Sequence, residues 1–265
     1  MSIVVSVKVQ DGVVLASDSC VHHRGRAYFN AEKTICPIRG LPIGVVVAGD
    51  GAIGLTSVAN HLREYGNLAL ARGGPWRLSK SHYTVGGIAS DIHRYLGEVV
   101  KVEDDPAQTS LTLVGYSANR ALPETWRLVL DGETVNEPEL IWGEREYGVT
   151  WDGERECLDR MLCGTPSGLV GVATDHGLEP DAAEALSQKV AAECGADLVT
   201  PGMPLQDALE LARFLCETTI TFMGFAMPGE AQTVGGPVDI AAITRHDGFR
   251  WVQRKRTPTA IGTPR

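Results

Sequence analysis

Six cysteines and one pair of adjacent histidines are the first residues of this 265-residue chain that suggest metal or redox chemistry. Cys20, Cys36, Cys157, Cys163, Cys194 and Cys216 include no pair with the C-x-x-C spacing that holds zinc or runs thiol exchange. None sits in a recognisable nucleophile motif. In a reducing compartment they read as small apolar residues. His22-His23 could ligate a metal, but adjacent histidines on a polar loop are more often solvated. No metal and no cofactor is therefore expected. Four other residues are bland one at a time. Ser2 follows the initiator methionine, which is common. Asp18 reads as a turn residue at a strand end, Lys33 as a solvated strand charge, and Gly49 as a turn glycine.

The elements that must position these residues follow from patterning. Val4 to Val9 is rich in β-branched residues, Asp11-Gly12 is a hairpin signal, and Val13 to Asp18 is the return strand. Residues 19–31 are polar and read as a loop. Lys33 to Ile38 reads as a strand, and Ile43 to Ala48 as a strand buried on both faces. A helix is expected from Gly51 to about Leu70. A second carries Val85, Ile88, Ile92, Leu96 and Val99 on one stripe. Strands resume at Leu111–Tyr116 and Thr125–Leu130, and between Glu139 and Thr150. Helical patterns return at 167–175, 180–194 and 204–223, the last with Leu205, Leu209, Ala212, Cys216 and Ile220 on one face. Val238 to Thr244 and Phe249 to Val252 close the chain as a hairpin. Blocks of strands separated by helices imply two stacked sheets covered by helices. No linker-like composition shift divides the chain, so residues 1–253 read as one domain. Residues 254–265 are basic, carry two prolines, and read as a disordered tail.

Composition bounds the function. Hydrophobic residues are 43% and charged residues 22%, an ordinary globular mix. A net charge of −9 argues against a nucleic-acid partner. No apolar run reaches the roughly 18 residues of a membrane span. The opening Met1-Ser2-Ile3-Val4-Val5 lacks a basic, cleavable leader, so a cytoplasmic location is expected.

Four blocks in order resemble proteasome β-type subunits. They are Val4 through Asp11-Gly12-Val13-Val14-Leu15-Ala16-Ser17-Asp18-Ser19, then Lys33-Thr34-Ile35, then Val46-Val47-Ala48-Gly49-Asp50, then Gly235-Gly236-Pro237-Val238-Asp239-Ile240-Ala241-Ala242-Ile243-Thr244-Arg245-His246-Asp247-Gly248. The last block is the most specific. The resemblance is to N-terminal-nucleophile (Ntn) hydrolases, with bacterial proteasome-like branches the most similar. It implies an α+β fold, the four-layer αββα sandwich of two mostly antiparallel sheets flanked by helices.

The resemblance also implies roles. Ser2 matches the family's catalytic threonine once Met1 is removed. An α-amine has a pKa of about 7.7–8.0 and can serve as general base to its own side chain. Asp18 matches the acid that orients the lysine and the nucleophile. Lys33 matches that lysine, whose charge favours a neutral amine. Asp18 and Lys33 are 15 apart, one residue short of the family's usual separation. Gly49 matches the oxyanion-hole glycine, and Thr165 falls near a supporting serine. Val21 and Val47 match the substrate side-chain pocket. Two positions depart from the family: Ala231 and Val234 stand where it has an Asp and a Ser, with Glu230 next door to the first. The expected function is cleavage of a peptide or other amide through Ser2, by a homo-oligomer in a ring or open helical array. The alternatives are a catalytically impaired assembly subunit and a small-molecule amidase.

Overall fold

The structure is a computed structural model that describes residues 2–23, 26–103, 107–132, 134–226 and 233–255. Met1, Glu230, Ala231 and residues 256–265 lie outside the described residues.

The chain opens with a hairpin of β1 (Ile3–Val9) and β2 (Gly12–Ser17). Both strands are buried along their whole length, as their near-continuous apolar sequences require. A small hairpin follows, β3 (Val21–His23) with β4 (Arg26–Tyr28), where the sequence reads as a loop. Then come β5 (Thr34–Ile35) and β6 (Ile43–Gly49). The strand expected over 33–38 shrinks to its two residues paired with β6. A tight hairpin of β7 (Ala52–Ile53) and β8 (Thr56–Ser57) precedes α1 (Val58–Leu70). The helix starts later than its pattern suggests, because the Ser57 hydroxyl caps it by accepting from Asn60 N.

Helix α2 (Val85–Glu103) follows, with Val85, Ile88, Ile92 and Leu96 of the expected stripe buried and Val99 partly buried against the same cluster. A meander of β9 (Ala107–Gly115), β10 (Glu124–Gly132) and β11 (Thr134–Trp142) is followed by β12 (Gly148–Gly153), which joins the sheet of β1, and by α3 (Glu156–Leu158). That short helix runs into a π-helical turn, Asp159–Cys163. After it come α4 (Leu169–Asp175), α5 (Pro180–Cys194) and α6 (Leu205–Ala226). Strands β13 (Asp239–Thr244) and β14 (Gly248–Gln253) complete the order.

The long strands form two five-stranded antiparallel sheets. The first has the order β12-β1-β2-β13-β14, the second β11-β10-β9-β6-β5. Period-two alternation divides each strand between two apolar clusters. Val45, Val47, Leu111, Leu113, Leu128 and Leu130 of the second sheet pack with α1 and α2. Ile3, Val5, Val7, Val14 and Ile240 of the first sheet pack with Leu209, Ala212 and Cys216 of α6. Val4, Val13, Leu15 and Ile243 meet Val46, Ala48 and Val114 between the sheets. The molecule is therefore mixed α and β, with antiparallel sheets that carry helices.

Arg254 and Lys255, expected to begin a disordered tail, are tied to the fold instead. The Lys255 ammonium bonds Asp239 Oδ2 at 2.5 Å, Ala31 O at 2.7 Å and Ser19 Oγ at 3.2 Å. Asp239 is fully buried, and an unpaired carboxylate there would be costly.

Candidate functional site

Ser2 sits immediately before β1 and is 1% exposed. Its carbonyl accepts from Glu154 N at 2.6 Å, just beyond the end of β12. Gly153 packs so tightly there that a Cβ would stand 1.9 Å from Ser2 O. The same glycine has φ +89°, so two constraints exclude a side chain.

Asp18 follows β2 and is fully buried. The hairpin brings it back to the start of β1, where Asp18 N donates to Ile3 O at 3.1 Å. Its carboxylate is saturated. Oδ1 accepts from Ile3 N at 3.0 Å and from the Lys33 ammonium at 2.5 Å. Oδ2 accepts from Cys20 N at 3.1 Å and from Gly235 N at 2.9 Å. The glycine pair that follows Val234 thus closes on the first hairpin, 217 residues away in sequence.

Lys33 precedes β5 and is 5% exposed. Its position is held by its carbonyl, which accepts from Val47 N at 2.9 Å. Burial pushes the Lys33 pKa below the usual lysine range, and the Asp18 carboxylate opposes that shift. Beside it, the Ser17 and Thr34 hydroxyls pair at 2.9 Å and link the two sheets. Gly49 ends β6 with φ +92°, and a Cβ there would lie 2.2 Å from Gln108 O. Only glycine fits.

A cavity of about 510 Å³ gathers these residues. Ser2, Lys33, Gly49, Val21 and Val47 line it, together with His22, Glu32, Asp50 and Arg63. Asp18 stands behind Lys33 as its ion-pair partner. Thr165 is not brought there. It is buried after the π-helical turn, where its N–H donates to Asp159 O at 3.4 Å. Val234 is fully buried in the apolar cluster under α6. His22 lines the cavity, and its Nε2 is buried without a protein partner. Among the described residues no group of three His, Cys, Asp or Glu could hold a metal ion. No helix among them is long and apolar enough to cross a membrane.

Two contributors escape a sequence reading. Glu154 presents only a backbone N–H to Ser2, which leaves no signal in residue type. Lys255 reaches Ser19 and Ala31 from a stretch that looks like tail.

No protein-family model matches the chain, and no curated protein sequence matches it. Solved structures do match, and they share its fold. Anbu (ancestral β-subunit) from Yersinia bercovieri superposes with a TM-score of 0.58 at 12% identity, covering 96% of this chain and 88% of that one. A Gly-1 mutant of Anbu from Hyphomicrobium sp. strain MC1 gives 0.60 at 12% identity, covering 97% and 87%. A second Anbu structure from that organism gives 0.57 at 13%, covering 96% and 86%. The chain thus shares the fold of these Anbu structures.

Proposed function

We propose that this chain is a proteasome-like Ntn hydrolase that cleaves peptide or other amide bonds through Ser2 once Met1 is removed. The observation that carries the reading is the shared cavity: Ser2, Lys33 and Gly49 line it, with Asp18 held against Lys33. The freed α-amine takes the Oγ proton while Oγ attacks the substrate carbonyl. The Gly49 N–H stabilises the oxyanion. The C–N bond then breaks, and the amine hands its proton to the departing nitrogen. Water attacks the resulting ester. The α-amine accepts the water proton and returns it to Oγ, which releases the acid. Lys33 keeps the α-amine neutral through its charge and reaches that position through Asp18.

The same reading takes the packing as an αββα sandwich, residues 1–253 as one domain, and the working form as a cytoplasmic homo-oligomer. That the Anbu protein of Yersinia bercovieri is described as an ancestral β-subunit supports assembly. The test is intact-mass analysis followed by labelling with a β-lactone. The expected result is loss of Met1 and one added acyl group, absent from Ser2→Ala. Quantitative retention of Met1 would overturn the mechanism.

One observation favours a second reading, an assembly subunit without catalysis. Val234 stands buried among apolar side chains where the resembling family has a serine beside the nucleophile's amine. That reading expects a ring in native mass spectrometry and no lactone adduct.

A further inference from the structure

A second recess, of about 280 Å³, adjoins the first, and Gly49 lines both. Ser110, Asp131, Asp152 and Gly153 line the second recess. The two recesses share Gly49, and Gly153 of the second is packed against the Ser2 carbonyl, so the second recess reaches the backbone beside Ser2. A substrate lying through both would pass Gly49.

The recesses differ in charge. The first holds Lys33 and Arg63 as well as Glu32 and Asp50. Arg63 pairs with Glu32 at 2.5 Å, and Lys33 with Asp18. Among the described residues, the second is lined by two carboxylates and by no lysine or arginine. Both acids lie on strand faces turned toward the opposite sheet. Leu128 and Leu130 of β10 pack on the helix side, which leaves Val129 and Asp131 on the other. Val149 and Trp151 of β12 pack under α6, which leaves Thr150 and Asp152 on the other. Asp152 Oδ1 accepts from Gly153 N at 2.7 Å, which leaves its second oxygen available. Asp131 is exposed and makes no ion pair with a described residue. The Ser110 hydroxyl is buried there without a protein partner, a further polar group facing the same space.

Resting on the reading of Ser2 as nucleophile, we propose that the second recess receives the leaving-group side of the substrate and selects a cationic leaving group. The favoured substrate is a peptide with Lys or Arg immediately after the bond that breaks. The departing fragment adds charge of the same sign, because its new α-amine is partly protonated near neutral pH. One exposed and one partly buried carboxylate favour a cation over an anion by roughly an order of magnitude at low ionic strength, and added salt weakens the effect.

The experiment digests a peptide library, randomised on both sides of the cut, with the Met1-processed protein and sequences the new N-termini. Lys and Arg are expected to be enriched over Glu by about tenfold at 20 mM salt, and less at 0.5 M. The ratio should fall toward one in Asp131→Asn with Asp152→Asn. Asparagine at 152 retains an acceptor for Gly153 N, and Asp131→Asn alone changes only an exposed side chain. Lactone labelling at Ser2 with cleavage that ignores charge, or a bias that survives both substitutions, overturns the inference and leaves the Ser2 reading standing. Absence of both labelling and cleavage overturns the two together.

Discussion

The Asp18 carboxylate accepts from three backbone amides and one ammonium, and no part of it reaches solvent. Its substitution therefore acts on both stability and chemistry. Asp18→Asn keeps the volume but leaves Lys33 buried beside a neutral amide that must also turn hydrogens toward existing donors. Breaking a buried pair by removing one partner costs about 3–5 kcal/mol. The urea midpoint should fall accordingly, and lactone labelling of Ser2 should fall more than tenfold. The double variant Asp18→Asn, Lys33→Met removes the stranded charge. It should regain part of the stability and none of the labelling, a non-additivity that a double-mutant cycle measures. Equal stability in the single and double variants would show that the pair does not carry the local fold. Before the structure, these residues had meaning only as a set in family order. Singly, Asp18 looks like a turn residue and Lys33 like a solvated charge, because burial depends on contacts with Gly235 and β6 that sequence spacing does not express.

Strand β1 is tied at both ends, by Ser2 at one and by Lys8 at the other. The Lys8 side chain is 1% exposed, and its ammonium donates to the carbonyls of Gly143 at 2.6 Å, Glu144 at 3.4 Å and Glu146. Burial pushes its pKa down from 10.5 to about 8, against the opposing charges of Glu146, Glu124 and Glu144. The sign of the pH dependence follows. The unfolded chain keeps this proton up to pH 10.5, whereas the folded chain loses it near pH 8. Between those values the unfolded state binds more protons, so stability from this group rises with pH, and below pH 8 its cost is constant. Relative to Lys8→Met, the parent should gain about 1–3 kcal/mol over that interval. Urea midpoints of both proteins at several pH values check this, and parallel curves would refute it. Elements with a strong period were legible. The α2 stripe and the apolar runs of β1, β2 and β6 all stand where their patterns put them. The β3–β4 hairpin was not legible, because its polar residues carry no alternation. The start of α1 at Val58 rather than Gly51 was not legible, because residues 52–57 pair as the short β7–β8 hairpin and the Ser57 hydroxyl caps the helix there.

The candidate site belongs to neither sheet alone. Ser2 and Asp18 come from the β1–β2 hairpin of one sheet, and Lys33 and Gly49 flank β5 and β6 of the other. The 2.5 Å Asp18–Lys33 pair and the cavity wall therefore depend on the spacing between sheets. That register between distant strands is what the sequence hides most completely, and it also brings Asp131 and Asp152 to one recess. The spacing is set where β6 crosses β2 and β13. A Cβ on Gly44 would stand 2.8 Å from Leu15 Cδ1 and 3.0 Å from Ile243 Cδ1, both on the facing sheet. Gly44→Val must push those side chains or the sheets apart. Overpacking of this kind costs about 1–3 kcal/mol. If the sheets yield, Lys33 moves relative to Asp18, and lactone labelling of Ser2 should slow more than the stability loss explains. The comparison is made at a temperature where both proteins are folded, with Gly73→Ala as control because no described residue beyond its chain neighbours lies within 4 Å of its Cβ position. The control should label at the parent rate. A folded Gly44→Val that also labels at the parent rate would mean that the side chains absorb the strain and the site is insulated from the packing between its two halves.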